Sequence, residues 1–152
     1  MLFRSQIWRV TFDQARLDRQ ARAILFSVGE SSAELGLLFV GDQRMKSLNH
    51  RYRGKDRTTD VLAFAMREAP HASAGLRGDV VIAVPTAVRQ AKAGGRSLDE
   101  ELTVVLVHGV LHLCGYDHER SEQEARRMQR RERMVLRSIG AMPTPVNRKR
   151  RE

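Results

Sequence analysis

Residues 102–113, Leu-Thr-Val-Val-Leu-Val-His-Gly-Val-Leu-His-Leu, are apolar on nearly every face when wound as a helix. A helix with no polar face cannot lie on a surface, so this one has to run through the middle of the molecule. Ser97 and Glu100 stand in capping-box positions before it, and Gly115 supplies the stop after it. The rest of the chain must therefore provide a sheath.

The pattern on either side of that helix predicts such a sheath. Ile7 to Phe12 reads as a strand, and Asp13 to Phe26 as a helix burying Ala15, Leu17, Ala21, Ile24 and Leu25. Glu34 to Val40 is a second strand, after which Asp42 is placed to cap a helix carrying Met45, Leu48 and Tyr52. The polar loop RGKDRTTD leads into a strand at Val61 to Ala65, and Glu68 to Gly78 reads as a mobile surface loop. A strand at Asp79 to Val84 precedes a helix with Pro85 in its first turn and Gly94-Gly95 at its close. The last helix, about Ser121 to Ile139, is amphipathic and arginine-rich. Strands alternate with helices, so the class is α/β or α+β, with the strand order left open. Residues 1–141 are expected to form a single domain, with 142–152 a disordered basic tail.

Charge narrows the partners. Lys and Arg number 27 against 18 Asp and Glu, a net charge of +9 that favours polyanions, nucleic acid before anionic membrane. A single cysteine, Cys114, excludes an internal disulfide and suits a reducing compartment. No stretch reads as a membrane span, and MLFRSQIWRV breaks into charge at Arg4, unlike a signal peptide. The expectation is a soluble cytoplasmic protein without membrane association.

Chemistry concentrates at the end of the apolar helix, in His108-Gly-Val-Leu-His112-Leu-Cys-Gly115-Tyr-Asp-His118. His108 and His112 lie one turn apart and point the same way. Gly115 lets the backbone reverse, which returns His118 as a third nitrogen. Three imidazoles leave a fourth tetrahedral position for water, the arrangement of a catalytic rather than a structural zinc site. The spacing equals that of the metzincin proteases, but the position of their general-base glutamate is held by Gly109. Cys114 would point roughly opposite His112 on the helix, and reads as a small buried apolar residue rather than a ligand.

HGVLHLCGYDH resembles the HGxLHLxGYDH signature of the YbeY family of bacterial endoribonucleases. Two further blocks agree. Leu48-Asn-His-Arg-Tyr52-Arg53-Gly-Lys-Asp56-Arg-Thr-Thr59-Asp60-Val-Leu62-Ala-Phe64 is similar to LNxxYRxKDxPTDVLSF, and Gly78-Asp79-Val-Val-Ile82 is similar to GDIVI. The resemblance covers about residues 34 to 140; Thr58, Ala63 and Ala65 depart from it without touching a proposed ligand. It implies an α+β (mixed α/β) fold, a small mixed sheet packed by helices with a central buried metal-binding helix. It also implies one Zn2+ per chain on His108, His112 and His118, and a functional arginine at Arg53.

The activity implied is single-strand-specific, zinc-dependent endoribonuclease action in ribosomal RNA maturation, at the 16S rRNA 3′ end, and in ribosome quality control. RNA of the small ribosomal subunit is the expected partner. Arg53 offers a permanently charged fork for phosphate. Asp117 and Glu119 are candidate bases, Asp117 alternatively orienting a ligand histidine, and Asp56, Asp60 and Asp79 are capping or bracing residues by default. Two rivals remain open: a metal-dependent hydrolase of protein or small molecules, and a ribosome-associated RNA-binding factor with a structural zinc.

Overall fold

The computed structural model describes residues 2–4, 11–66 and 75–141. Four strands form one mixed sheet: β1 (Leu2–Arg4), β2 (Glu34–Val40), β3 (Val61–Ala65) and β4 (Arg77–Ala83), in the order β1-β2-β4-β3. β1 is parallel to β2 and β2 to β4, whereas β3 closes the edge antiparallel to β4, with Val61 opposite Ile82. Five helices surround it: α1 (Gln14–Ser27), α2 (Asp42–Arg53), α3 (Val84–Ala93), α4 (Leu98–Leu113) and α5 (Glu122–Ser138). The α+β expectation is met.

Period-2 alternation sorts the strands between two cores. Leu35, Leu37 and Phe39 of β2, Val80 and Ile82 of β4 and Val61 of β3 face the larger core, together with α1, α4 and α5. Val40, Val81, Ala83 and Leu62 face the other way, where Met45 of α2 covers them. α4 touches β3, β4, α1, α3 and α5. Eleven of its residues are buried, from Glu101 to Leu113, as its apolar circumference requires. Glu101 is fully buried and paired with Arg96 at 2.6 Å, which fixes the entry of α4 into the core. At its start the Ser97 hydroxyl accepts the Glu100 amide at 3.1 Å. Only that half of the capping box forms, because the Glu100 carboxylate takes the Ser97 hydroxyl proton.

Glycines allow the close approach of α4 to the sheet. A Cβ at Gly109 would lie 2.8 Å from a Val80 methyl and 3.0 Å from a Val61 methyl. One at Gly78 would meet the Phe64 carbonyl at 2.6 Å and Leu113 at 2.8 Å. Only residues without a side chain fit at either contact.

Several elements differ from the sequence expectation. The strand expected at Ile7 to Phe12 falls mostly outside the described residues; 11 and 12 belong to no regular element, and the Phe12 ring instead packs at a tilt on Phe39, centroids 5.0 Å apart. Asp13, expected inside α1, caps it by accepting the Arg16 amide. Gly41, not Asp42, is the N-cap of α2. Asp42 occupies the first turn, where its carboxylate accepts from Thr86 and Arg89 and ties α2 to α3. Tyr52, expected on the buried side of α2, is 59% exposed and meets Phe64 edge-on. β4 starts at Arg77, not Asp79, so Arg77 and Gly78 of the expected surface loop belong to the strand; residues 68–74 of that loop, like the tail 142–152, lie outside the described residues.

Candidate metal centre

α4 delivers His108 and His112 one turn apart at its C-terminal end. Cys114 caps the helix, and Gly115 takes a φ of +96°, a left-handed conformation that side chains resist. That turn brings His118 back over the helix end, as its spacing predicted. The three rings lie with centroids 4.6, 5.0 and 5.2 Å apart. One ligating nitrogen from each falls within 4.8 Å of the others.

The donors match a metal ion. Nε2 of His108 and Nε2 of His112 are 3.0 Å apart. Two nitrogens bound tetrahedrally to zinc at its usual bond length stand about 3.3 Å apart. Burial, then the neighbouring His108 and His118, lower the His112 pKa to about 4, so this imidazole is neutral at physiological pH. His118 is lowered in the same direction, by burial first and His108 second. Neutral imidazoles are the form that ligates.

The structure adds a residue that the sequence did not single out. Glu132 of α5 places Oε1 2.5 Å from Nδ1 of His108, with both side chains about four-fifths buried. The Nδ1–H donates to the carboxylate, which leaves the lone pair on Nε2, turned toward His112. Glu132 is 24 positions away in sequence, on a helix whose rotation about its axis only tertiary packing sets. A carboxylate among arginines on an amphipathic helix carries no mark of that role.

The other candidates take different places. Asp117 accepts the Glu119 amide at 2.9 Å and pairs with Arg120, so it braces the turn rather than accepting from a histidine. The Glu119 amide is also the main cause of its lowered pKa. Glu119 accepts from Lys55 at 2.9 Å and from Arg53 at 2.6 Å. Lys55 first, with Arg53 adding to it against the upward push of burial, holds its carboxyl below the usual range, which makes it a weaker base than a free carboxylate. Through Glu119 the end of α2 is tied to the residue next to His118, so Arg53 borders the histidine cluster. Asp56 pairs with Lys46, and the Asp79 carboxylate sits over Gly36, where a Cβ would collide with it. Cys114 stays outside the histidine group, and burial raises its thiol pKa. Gly109 faces the sheet, not the histidines.

Fold and site together define an α+β protein whose central helix and following turn present three convergent imidazoles able to hold one metal ion. The comparisons make the class specific. The family model described as Endoribonuclease YbeY matches residues 3–140. An Endoribonuclease YbeY of Anaeromyxobacter sp. (strain Fw109-5) is 48% identical over 125 residues, 82% of this chain and 64% of that protein. One from Geobacter metallireducens is 43% identical over 124 residues, covering 80% of this chain and 83% of its own. A Thermotoga maritima protein solved in solution shares the fold at 22% identity and a TM-score of 0.55, across 97% of this chain and 98% of that one. The chain belongs to the YbeY endoribonuclease family. It spans just under two-thirds of the Anaeromyxobacter relative's length.

Proposed function

We propose that residues 1–141 form a single metallohydrolase domain acting as a zinc-dependent endoribonuclease on single-stranded ribosomal RNA. Its place is maturation of the 16S rRNA 3′ end and ribosome quality control in the cytoplasm. His108, His112 and His118 are the metal ligands, and Arg53 is the catalytic side chain. The observation that carries this reading is the three-imidazole cluster bordered by Arg53 and Lys55. Among the described residues no helix is long and apolar enough to cross a membrane.

A bound zinc ion would supply Lewis-acid polarisation of a phosphoryl oxygen and a water acidified toward neutrality. The chain's own residues do the rest. Glu132 fixes the His108 tautomer and ring angle. Among the described residues the Arg53 fork hydrogen-bonds only to Glu119, through Nη2, so Nε and Nη1 would be available to a phosphate. Beside a phosphodiester held at the histidine cluster, that cation would offset the negative charge that grows during attack. Glu119 and Asp117 are both committed to hydrogen bonds, so attack by the RNA's own 2′-hydroxyl at this site would pass its proton to solvent water, with the leaving 5′-oxygen taking a proton from solvent. The protease alternative loses support because Gly109, where a metzincin carries its base, is pressed against Val80 and Val61.

The test is metal-loaded protein incubated with end-labelled single-stranded RNA, the same sequence as a duplex, and a peptide. The reading expects cuts within the single strand alone, lost in His112→Ala. Peptide hydrolysis, or RNA cleavage unaffected by His112→Ala, overturns it.

A further inference from the structure

The last helix carries a feature that the metal site does not use. Met128, Val135 and Leu136 bury one side of α5, and Glu132 reaches His108 from it. Arg127 lies over the Tyr116 ring, and Arg131 donates to the Ser27 carbonyl. Four arginines remain: Arg126, Arg130, Arg133 and Arg137, all exposed. Their spacing of four, three and four residues puts them within one stripe about 60° wide, running about 16 Å along the side of α5 opposite Met128 and Val135. Arg126 has a 3.9 Å contact with Glu122 at one end. No ion pair among the described residues engages the other three.

Such a stripe is unlike an ordinary solvated helix face, which mixes signs. Like charges three and four residues apart repel and weaken the helix, and among the described residues only Glu122, at the Arg126 end, offsets any of it. An external polyanion would offset the rest. The step between successive guanidinium positions is about 4.5–6 Å along the axis, comparable to the spacing of phosphates along one RNA strand.

We infer that the Arg126-Arg130-Arg133-Arg137 face of α5 is a second RNA surface, which grips the backbone of the strand flanking the cleaved segment. The inference rests on the endoribonuclease reading and extends it. Being on the far side of α5 from Glu132, the stripe touches no reacting atom. It therefore holds substrate and sets KM, while the histidine cluster and Arg53 set kcat.

The experiment uses metal-loaded full-length protein with the four arginines changed together to glutamine, which keeps helix propensity, and the Arg130→Gln/Arg133→Gln pair. Arg19→Gln/Lys92→Gln, exposed on α1 and α3, removes the same charge as that pair from elsewhere. Binding is measured on a 30-nucleotide RNA blocked by 2′-O-methylation, across a salt series, so that it is independent of cleavage. Each single-strand phosphate contact contributes about 0.7 to the slope of log affinity against log salt. The slope should therefore fall by about 1.4 in the α5 pair and about 2.8 in the quadruple variant, and hardly at all in the control pair. On cleavable RNA, KM should rise at least about tenfold in the quadruple variant with kcat within about twofold. An unchanged slope, or an equal fall in the control pair, overturns the inference. So does unchanged RNA binding with lost binding to poly-glutamate, which would make the stripe a face for an acidic protein. Failure of the endoribonuclease reading shows separately, as wild-type protein that binds the blocked RNA but does not cut the cleavable one.

Discussion

Replacing Glu132 with alanine removes the carboxylate that holds Nδ1 of His108 at 2.5 Å, where the two side chains are 22% and 19% exposed. That burial leaves the hydrogen bond little screened, and one involving a charged partner is worth about 1.5–3 kcal/mol. At about 1.4 kcal/mol per tenfold change, the metal dissociation constant should rise by about 10- to 100-fold, the usual scale for losing the outer partner of a ligating histidine. Glu132→Gln should fall between wild type and Glu132→Ala, because an amide oxygen still accepts the Nδ1–H but carries no charge. The assay is competition for zinc against a chelator of known affinity, with thermal melting of the metal-free forms run beside it. Wild-type zinc affinity in a folded Glu132→Ala protein would refute both the orienting role and the assignment of His108 as a ligand.

Other consequences can be measured as directly. Arg53→Ala should keep metal and melting temperature, since its ion pair with Glu119 is 37% and 39% exposed and contributes little. RNA cleavage should drop about a hundredfold, with partial rescue in Arg53→Lys; single-turnover rates at wild-type level would remove Arg53 from the mechanism. Gly109→Glu should destabilise the protein by about 3 kcal/mol in urea melts, because its side chain must enter the Val80–Val61 contact; unchanged stability would mean that α4 sits less tightly on the sheet. In metal-stripped protein the His112 pKa is about 4, against 6.5 for the free group. Between those values the unfolded chain binds the extra proton, so stability should be full above about pH 6.5 and fall on acidification toward pH 4. A melting temperature flat across that window would contradict the buried, neutral His112.

The sequence made the outline of this fold readable where local chemistry decides it. β2 and β3 fall at the expected residues, and α4 is enclosed as its apolar circumference demanded. The three histidines converge because helical spacing and one glycine suffice to bring them together. What could not be read depends on packing. Gly78 looked like the end of a loop, yet it lies in β4 opposite Ala65, where Leu113 and the Phe64 carbonyl leave no space for a side chain. Asp42 looked like a cap, but long-range contacts with Thr86 and Arg89 claim its carboxylate. The order β1-β2-β4-β3 and the approach of Glu132 to His108 are set by how distant segments dock, which neither periodicity nor a motif records.

The proposed chemistry turns on one metal ion held by His108, His112 and His118. Stripping the protein and titrating zinc back, with bound metal and single-turnover cleavage followed in the same samples, tests it most directly. Without metal no cleavage is expected, and the rate should rise in step with occupancy, levelling at about one ion per chain. Cleavage by the stripped protein at the loaded rate, or full occupancy with no cleavage of single-stranded RNA, would contradict it.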